Sequence, residues 1–245
     1  SMGSPLLTPV DIKRLIAGGC PLPLATKNYP SRGQSAVQEL YQTPEGKLFL
    51  KRVSPRNHKE CQIDPKQGSL AEREYWAFCL ARSLGLRVPE LWLIDDHATV
   101  QRWLDLPDAR TYKTFYGKTD FKTENVFECA LFDWITGQAD RHDANYLCDY
   151  VNGEIVLIDS SHCFMEYSGS MPDYLSYYEA GGRRELQKRF KVPVSERMTD
   201  LVGGGVSKLV PLRSAVQTEA LVNRIHRALN CTSIQDVTQL YRRKP

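Results

Sequence analysis

Two apolar, partly alternating runs, residues 36–41 and 47–53, flank Thr43-Pro44-Glu45-Gly46. Period-two alternation around a turn-rich tetrapeptide predicts a β-hairpin, with Lys51 in its second strand. Over residues 69–84 the spacing becomes helical. Ser69 and Glu72 stand in the S-x-x-E register of a capping box, Gly85 follows the last apolar position, and Pro89 lies beyond. Residues 91–94 and 98–104 predict two more strands around Asp95-Asp96-His97, and Asp105-Leu106-Pro107-Asp108 makes a polar break. After that break the pattern is mostly helical. Residues 125–136 place Phe127, Leu131, Trp134 and Ile135 on one face and stop at Gly137. Residues 214–229 carry Leu221, Val222, Ile225 and Leu229 at helical spacing, and Ser233 caps a last short helix. A short helix is expected within residues 5–20, broken at Gly18-Gly19; Ser1-Met2-Gly3-Ser4 reads as a cloning scar. The expected architecture is α+β and two-lobed: a lead-in over 1–20, a small strand-rich lobe over 21–104 and a mostly helical lobe over 105–245.

The chemistry concentrates in Gly137-Gln138-Ala139-Asp140-Arg141-His142-Asp143-Ala144-Asn145-Tyr146-Leu147, followed by Ile155-Val156-Leu157-Ile158-Asp159. Asn152-Gly153 between two apolar runs suits a two-residue type I′ loop, because both residues tolerate positive φ. In that register Val151 faces Glu154, Leu147 faces Ile158, Tyr146 faces Asp159 and Asn145 faces Ser160. Asn145 and Asp159 are then diagonal neighbours, about 5–8 Å apart. One amide and one carboxylate are hard oxygen donors suited to Mg2+ that shares its shell with phosphates. Asp140 would orient an attacking hydroxyl and accept its proton, the task given to an aspartate five residues before a metal-binding asparagine. The bland alternative is a polar loop held by local ion pairs. A zinc site from His142, Cys148, His162 and Cys163 fits no common ligand spacing, and His142 reads as a prop for the loop.

A cation for the phosphates comes from Lys51. On a helical wheel over 69–84, Leu70, Ala77, Ala81 and Leu84 share a face with Glu74 at its edge, and Glu72 lies almost opposite. Glu72 has its capping task; a carboxylate bordering the buried face needs a partner against desolvation, and Lys51 supplies it. The alternatives are a solvated Lys51 and a Glu74 paired with Arg73 or Arg82. Ser31-Arg32-Gly33-Gln34-Ser35 is small and polar enough for its N–H groups to approach phosphates, which makes Ser31, Gly33, Gln34 and Ser35 candidates beside a plain surface turn. Residues 101–104, with Gln101 and Trp103, are by position alone the place for an adenine ring.

These residues resemble the atypical kinase group that contains HipA-type serine/threonine kinases and the phosphatidylinositol 3- and 4-kinases. The shared order is Asp140-Arg141-His142-x-x-Asn145, inverted from the usual His-Arg-Asp of protein kinases. Glu72-Arg73-Glu74-Tyr75-Trp76, Leu80-Ala81 and Leu84-Gly85-Leu86-Arg87-Val88-Pro89 are similar to the HipA helix that provides the lysine's partner, and Ser31–Ser35 to its phosphate loop. The resemblance implies a two-lobed kinase fold using ATP and Mg2+, with Lys51 and Glu74 as ion pair, Asp140 as base, and Asn145 and Asp159 as metal ligands. Ser160-Ser161-His162 stands where the usual pattern has Phe-Gly after the aspartate, so no activation-loop switch is carried over. Much of the HipA amino-terminal region is lacking, and with it the expectation of toxin–antitoxin pairing. A stripped-down bacterial kinase delivered into another cell would fit the size.

Composition narrows the rest. The 245 residues are 42% hydrophobic and 25% charged, enough for a proper core and unlike disordered or repetitive chains. No apolar run is long enough to span a bilayer. Seven cysteines without a Cys-x-x-Cys pair argue for a reducing, cytoplasmic compartment. A net charge of +3 is too mild to imply nucleic acid, although Arg242-Arg243-Lys244 keeps a nucleic-acid binder as a rival. Tyr167, Tyr174, Tyr177 and Tyr178 lie near Arg183, Arg184, Lys188, Arg189 and Lys191. That segment reads as a solvated basic helix face or as a surface for an acidic headgroup or protein segment. The expected acceptor is a protein hydroxyl, with a phosphoinositide as the alternative; a catalytically silent nucleotide- or partner-binding module is the other rival.

Overall fold

A computed structural model describes residues 6–24, 37–116 and 121–243, the side chains of 113–116 excepted. The chain groups into two compact units, Ser1–Tyr75 with Pro89–Asp105, and Trp76–Val88 with Leu106–Pro245. The architecture is α+β, with a small antiparallel sheet in the first unit and mostly helices in the second.

The first unit opens with α1 (Pro9–Ala17), whose Thr8 cap accepts from Asp11 N while Asp11 returns the bond to Thr8 N. A strand that the sequence did not reveal, β1 (Cys20–Leu22), follows and pairs Leu22 with Leu40. The expected hairpin is β2 (Val37–Thr43) and β3 (Gly46–Arg52), closed at Thr43 opposite Gly46. The Thr43 hydroxyl donates to Gly46 O at 2.8 Å and accepts from Glu45 N at 3.1 Å, which ties the two-residue loop. After α2 (Pro55–Glu60), α3 (Leu70–Ser83) begins at Ser69 with the expected reciprocal bonds to Glu72. β4 (Leu91–Asp95) and β5 (Ala98–Arg102) complete a sheet of order β1-β2-β3-β5-β4. Ile12, Leu48, Trp92 and Val100 form its core under α1.

The second unit is organised by α5 (Thr123–Thr136), which follows α4 (Ala109–Tyr116). The one-sided pattern expected for α5 is corrected: every residue from Val126 to Thr136 is buried except Glu128. The helix has neighbours on all sides, so it has no solvent face to display. It ends as expected at Gly137, whose φ of 63° is the left-handed conformation glycine adopts freely.

The ribbon β6 (Tyr146–Asp149) and β7 (Glu154–Leu157) corrects the expected register. Leu147 pairs with Val156 and Asp149 with Glu154, so the loop has four residues, Tyr150 to Gly153. The cause is Asp149, whose carboxylate accepts from Asn152 N at 3.0 Å and Asn152 Nδ2 at 2.8 Å and so closes the turn earlier. Pairing moves by two positions, which keeps every side chain on its expected face. The remaining helices are α6 (Asp173–Ala180), α7 (Pro193–Asp200), α8 (Val206–Leu209), α9 (Ala215–Ala228) and α10 (Ile234–Arg242), the last two where the pattern placed them. Among the described residues no helix is long and apolar enough to cross a membrane, and no disulfide joins the seven cysteines.

Candidate active site

In the first unit β3 carries Lys51 in the middle of the sheet, opposite Gln38 on one side and Thr99 on the other. Its Nζ lies 2.7 Å from both oxygens of Glu74, on the first half of α3. Both residues are buried. Two charges removed from water persist only with good mutual geometry, which a symmetric contact provides. Arg73, next to Glu74, turns to the backbone and donates to Gly68 O at 2.8 Å, so it does not compete for the carboxylate through this contact. Glu72, which the wheel sets almost opposite the apolar face, is buried too. Ser69 Oγ donates to Asp96 O and His58 Nε2 accepts from Leu70 N at 3.0 Å, so the first turn of α3 is covered on the side a simple wheel leaves to solvent.

Gln101 is buried in β5, and Trp103 lies just past the strand with its ring edge-on to Phe49, centroids 5.4 Å apart. Trp103 Nε1 donates to Asp105 Oδ1 at 3.2 Å, and the same carboxylate pairs with Lys47. Ser31, Gly33, Gln34 and Ser35 lie outside the described residues.

In the second unit the loop after Gly137 brings Asp140, Asn145 and Asp159 to one end of the β6–β7 ribbon. Ile158 N donates to Asn145 O at 3.2 Å, so Asp159 is next to the residue opposite Asn145. Asp159 has φ of 51°, a left-handed conformation that aspartate tolerates better than most residues and that turns the chain out of the ribbon. Asn145 Nδ2 donates to Asp140 O at 2.6 Å and lies 3.1 Å from His142 Nε2. The amide nitrogen is thus committed to the loop, and the Asn145 side-chain oxygen accepts no hydrogen bond from the described residues. The Asp140 carboxylate is 41% exposed, with His142 Nε2 at 3.6 Å and His162 Nδ1 at 3.9 Å from its Oδ2. His162 returns to the loop through its backbone: Ala139 N donates to His162 O at 3.0 Å.

An amide oxygen and a carboxylate at adjacent positions fit the hard-donor chemistry of Mg2+, with the rest of its shell left to phosphates and water. Among the described residues no three His, Cys, Asp or Glu side chains are grouped to hold a metal. The same holds for the zinc alternative: His142, Cys148, His162 and Cys163 form no metal-holding group among the described residues.

What the sequence missed lies beneath this loop. Arg141 and Asp133 are both fully buried as side chains, and Arg141 NH2 lies 3.0 Å from Asp133 Oδ1. Burial works against the Arg141 charge, but the Asp133 carboxylate outweighs it and holds the guanidinium above its ordinary value. Arg141 NH1 donates to Asn145 O at 2.8 Å and also to Ile158 O, and its NH2 reaches Ser160 Oγ at 2.9 Å. The signal for it was Asp133 itself, the one charged residue in the apolar run Ala130-Leu131-Phe132-Asp133-Trp134-Ile135.

The tyrosines Tyr174, Tyr177 and Tyr178 lie on α6, but the basic residues after it do not form a helix face. Arg184–Gln187 is a short 3-10 turn, Tyr174 and Tyr178 are buried, Arg183 lies over the Tyr178 ring, and Arg189 pairs with Asp236 at 3.2 Å.

No family model matches the chain, and no curated protein matches it. Solved structures give distant likenesses. One is the Helicobacter pylori proinflammatory kinase CtkA, 13% identical over 91% of this chain and 96% of that one, with a TM-score of 0.45. Another is the FAT and kinase domain of CtTel1, 10% identical over 84% of this chain and 21% of that one, with a TM-score of 0.43. A third is the Rio2 kinase in its ADP/Mg2+-phosphoaspartate complex from Chaetomium thermophilum, 13% identical over 89% of this chain and 74% of that one, with a TM-score of 0.43. Likenesses this distant assign neither a substrate nor a residue role.

Proposed function

We propose that the chain is an ATP- and Mg2+-dependent phosphotransferase that moves a γ-phosphoryl group onto a hydroxyl, with a protein serine or threonine as acceptor. One observation carries the reading: an accessible Asp140 carboxylate stands beside an Asn145 amide whose nitrogen is fixed to the Asp140 carbonyl at 2.6 Å and whose oxygen is left for a ligand. In the proposed step the acceptor oxygen bonds to phosphorus as the bond from phosphorus to the ADP oxygen breaks. Asp140 takes the proton the hydroxyl gives up. Lys51, held by Glu74, is assigned to the nucleotide phosphates, where a fixed ammonium offsets their charge. Bound Mg2+ would neutralise charge on the phosphate oxygens, and Asn145 and Asp159 are the residues that would hold it. Gln101 and Trp103 are assigned to the adenine ring, and Ser31, Gly33, Gln34 and Ser35 to phosphate contacts. The same donor set supports a place beside the HipA-type and phosphatidylinositol kinases, and a cytosolic site of action is proposed with it, because both ATP and Mg2+ are supplied there.

The test is transfer from labelled ATP with Mg2+, run in parallel on protein mixtures and on phosphoinositide vesicles. Labelled protein is expected, with Asp140→Ala and Asp159→Ala each lowering transfer by roughly a thousandfold or more. Label on the vesicles alone would replace the acceptor class, and comparable transfer by both variants would remove the mechanism.

A further inference from the structure

We propose that Asp133 is a positioning residue for the metal-binding end of the β6–β7 ribbon and acts through Arg141. The inference rests on the assignment of Asn145 and Asp159 to the metal. A guanidinium has five N–H donors in a planar fork, and here all five are used. Nε donates to both Asp133 oxygens, at 3.2 and 3.1 Å, and NH2 to Asp133 Oδ1 at 3.0 Å and to Ser160 Oγ at 2.9 Å. NH1 takes the Asn145 carbonyl at 2.8 Å and the Ile158 carbonyl. One edge of a rigid plane therefore rests on the carboxylate, while NH1 joins the two strands where they diverge toward Asn145 and Asp159. Because the group is planar, whatever orients the first edge orients NH1.

The orienting group is itself fixed. Tyr174 OH donates to Asp133 Oδ2 at 2.7 Å, and α6 is joined to the same loop by Asp173 N donating to Arg141 O at 3.0 Å. Asp133 sits in the buried second half of α5, with residues 129–136 all buried, so it cannot relax into water. An amide in its place would turn an N–H group toward the guanidinium or the tyrosine hydroxyl. Arg141 would then swing, and the two carbonyls it holds would part. Neither Asp133 nor Tyr174 is assigned a contact with substrate.

The test measures ATP binding by full-length protein, by calorimetry, with Mg2+ and with chelator. In Asp133→Asn the affinity for ATP in Mg2+ should fall roughly tenfold, the usual effect of losing a partner that orients a ligand, while metal-free ATP binding stays within about twofold of the parent. Tyr174→Phe, which keeps the ring in the core, should shift the same ratio in the same direction by less. It decides the matter alone if Asp133→Asn does not fold. A lower melting temperature with an unchanged ratio of the two affinities in both variants would overturn the proposal. Parent protein that binds ATP equally with and without Mg2+ would overturn the assignment of Asn145 and Asp159 beneath it.

Discussion

The two units stabilise buried charge differently. In the first, the Lys51 ammonium meets the Glu74 carboxylate at 2.7 Å, one strand to one helix. In the second, Asp133 and Arg141 share their bonds with Tyr174, Ser160 and the carbonyls of Asn145 and Ile158. In the first, the ammonium touches both carboxylate oxygens, and two opposite charges in contact can often be exchanged for apolar groups of similar volume at little cost to stability. The second is a network, and removing both ions strands neutral groups that have no water to turn to.

Stability should separate the two most widely. Asp133→Leu or Arg141→Met alone should destabilise the fold by about 3–5 kcal/mol, because each leaves an uncompensated buried charge. The double variant should recover little, since the Ile158 carbonyl and the Ser160 and Tyr174 hydroxyls then lose these bonds and the Asn145 carbonyl keeps only the one from Ile158 N. Lys51→Met or Glu74→Leu should also cost about 3–5 kcal/mol, but their double variant should return to within about 1.5 kcal/mol of the parent. Urea unfolding of the six variants and the parent reads this out. Equal recovery by both doubles would erase the distinction, and the Lys51/Glu74 double should still lack transfer.

The contrast also explains what the sequence disclosed. Lys51 and Glu74 were legible because each lies on an element whose period is plain, so strand alternation and a helical wheel sufficed to bring them to each other. The spacing from Asp140 to Asn145 was legible as a string. The hairpin register was not, because a local bond from Asn152 to Asp149 competes with the Asn-Gly turn and no hydrophobic pattern records the competition. The burial of Glu72 was not legible for a related reason: a wheel assumes one buried face, while Ser69, His58 and the Asp96 carbonyl close over the other. Asp133 escaped because a helix buried all round has no amphipathic pattern, so a polar residue in it reads as a scrap of solvent face.

A smaller effect sharpens the comparison within α5. Five residues before Asp133, Glu128 is half-buried beside a cavity of about 360 Å3 that Glu124, Glu154, Arg87 and Lys122 also line. Unlike Asp133 it forms no ion pair with an arginine among the described residues, and Arg87 is engaged with Asp149 at 2.7 Å and Glu154 at 3.2 Å. Burial, with Glu124 and Glu154 adding repulsion, pushes Glu128 from 4.5 to about 7. The folded chain therefore holds this proton more tightly than the unfolded chain does. Its contribution is fully present below the unfolded value of 4.5 and is lost as pH rises through about 7. Glu128→Gln should leave the melting temperature unchanged at pH 4 and raise it by about 2–4 °C at pH 8, on the order of 1 kcal/mol after allowing for partial exposure. A rise of the same size at both pH values would mean that the carboxylate's charge is not what costs stability there. The partner, rather than the depth of burial, would then no longer be what distinguishes Glu128 from Asp133.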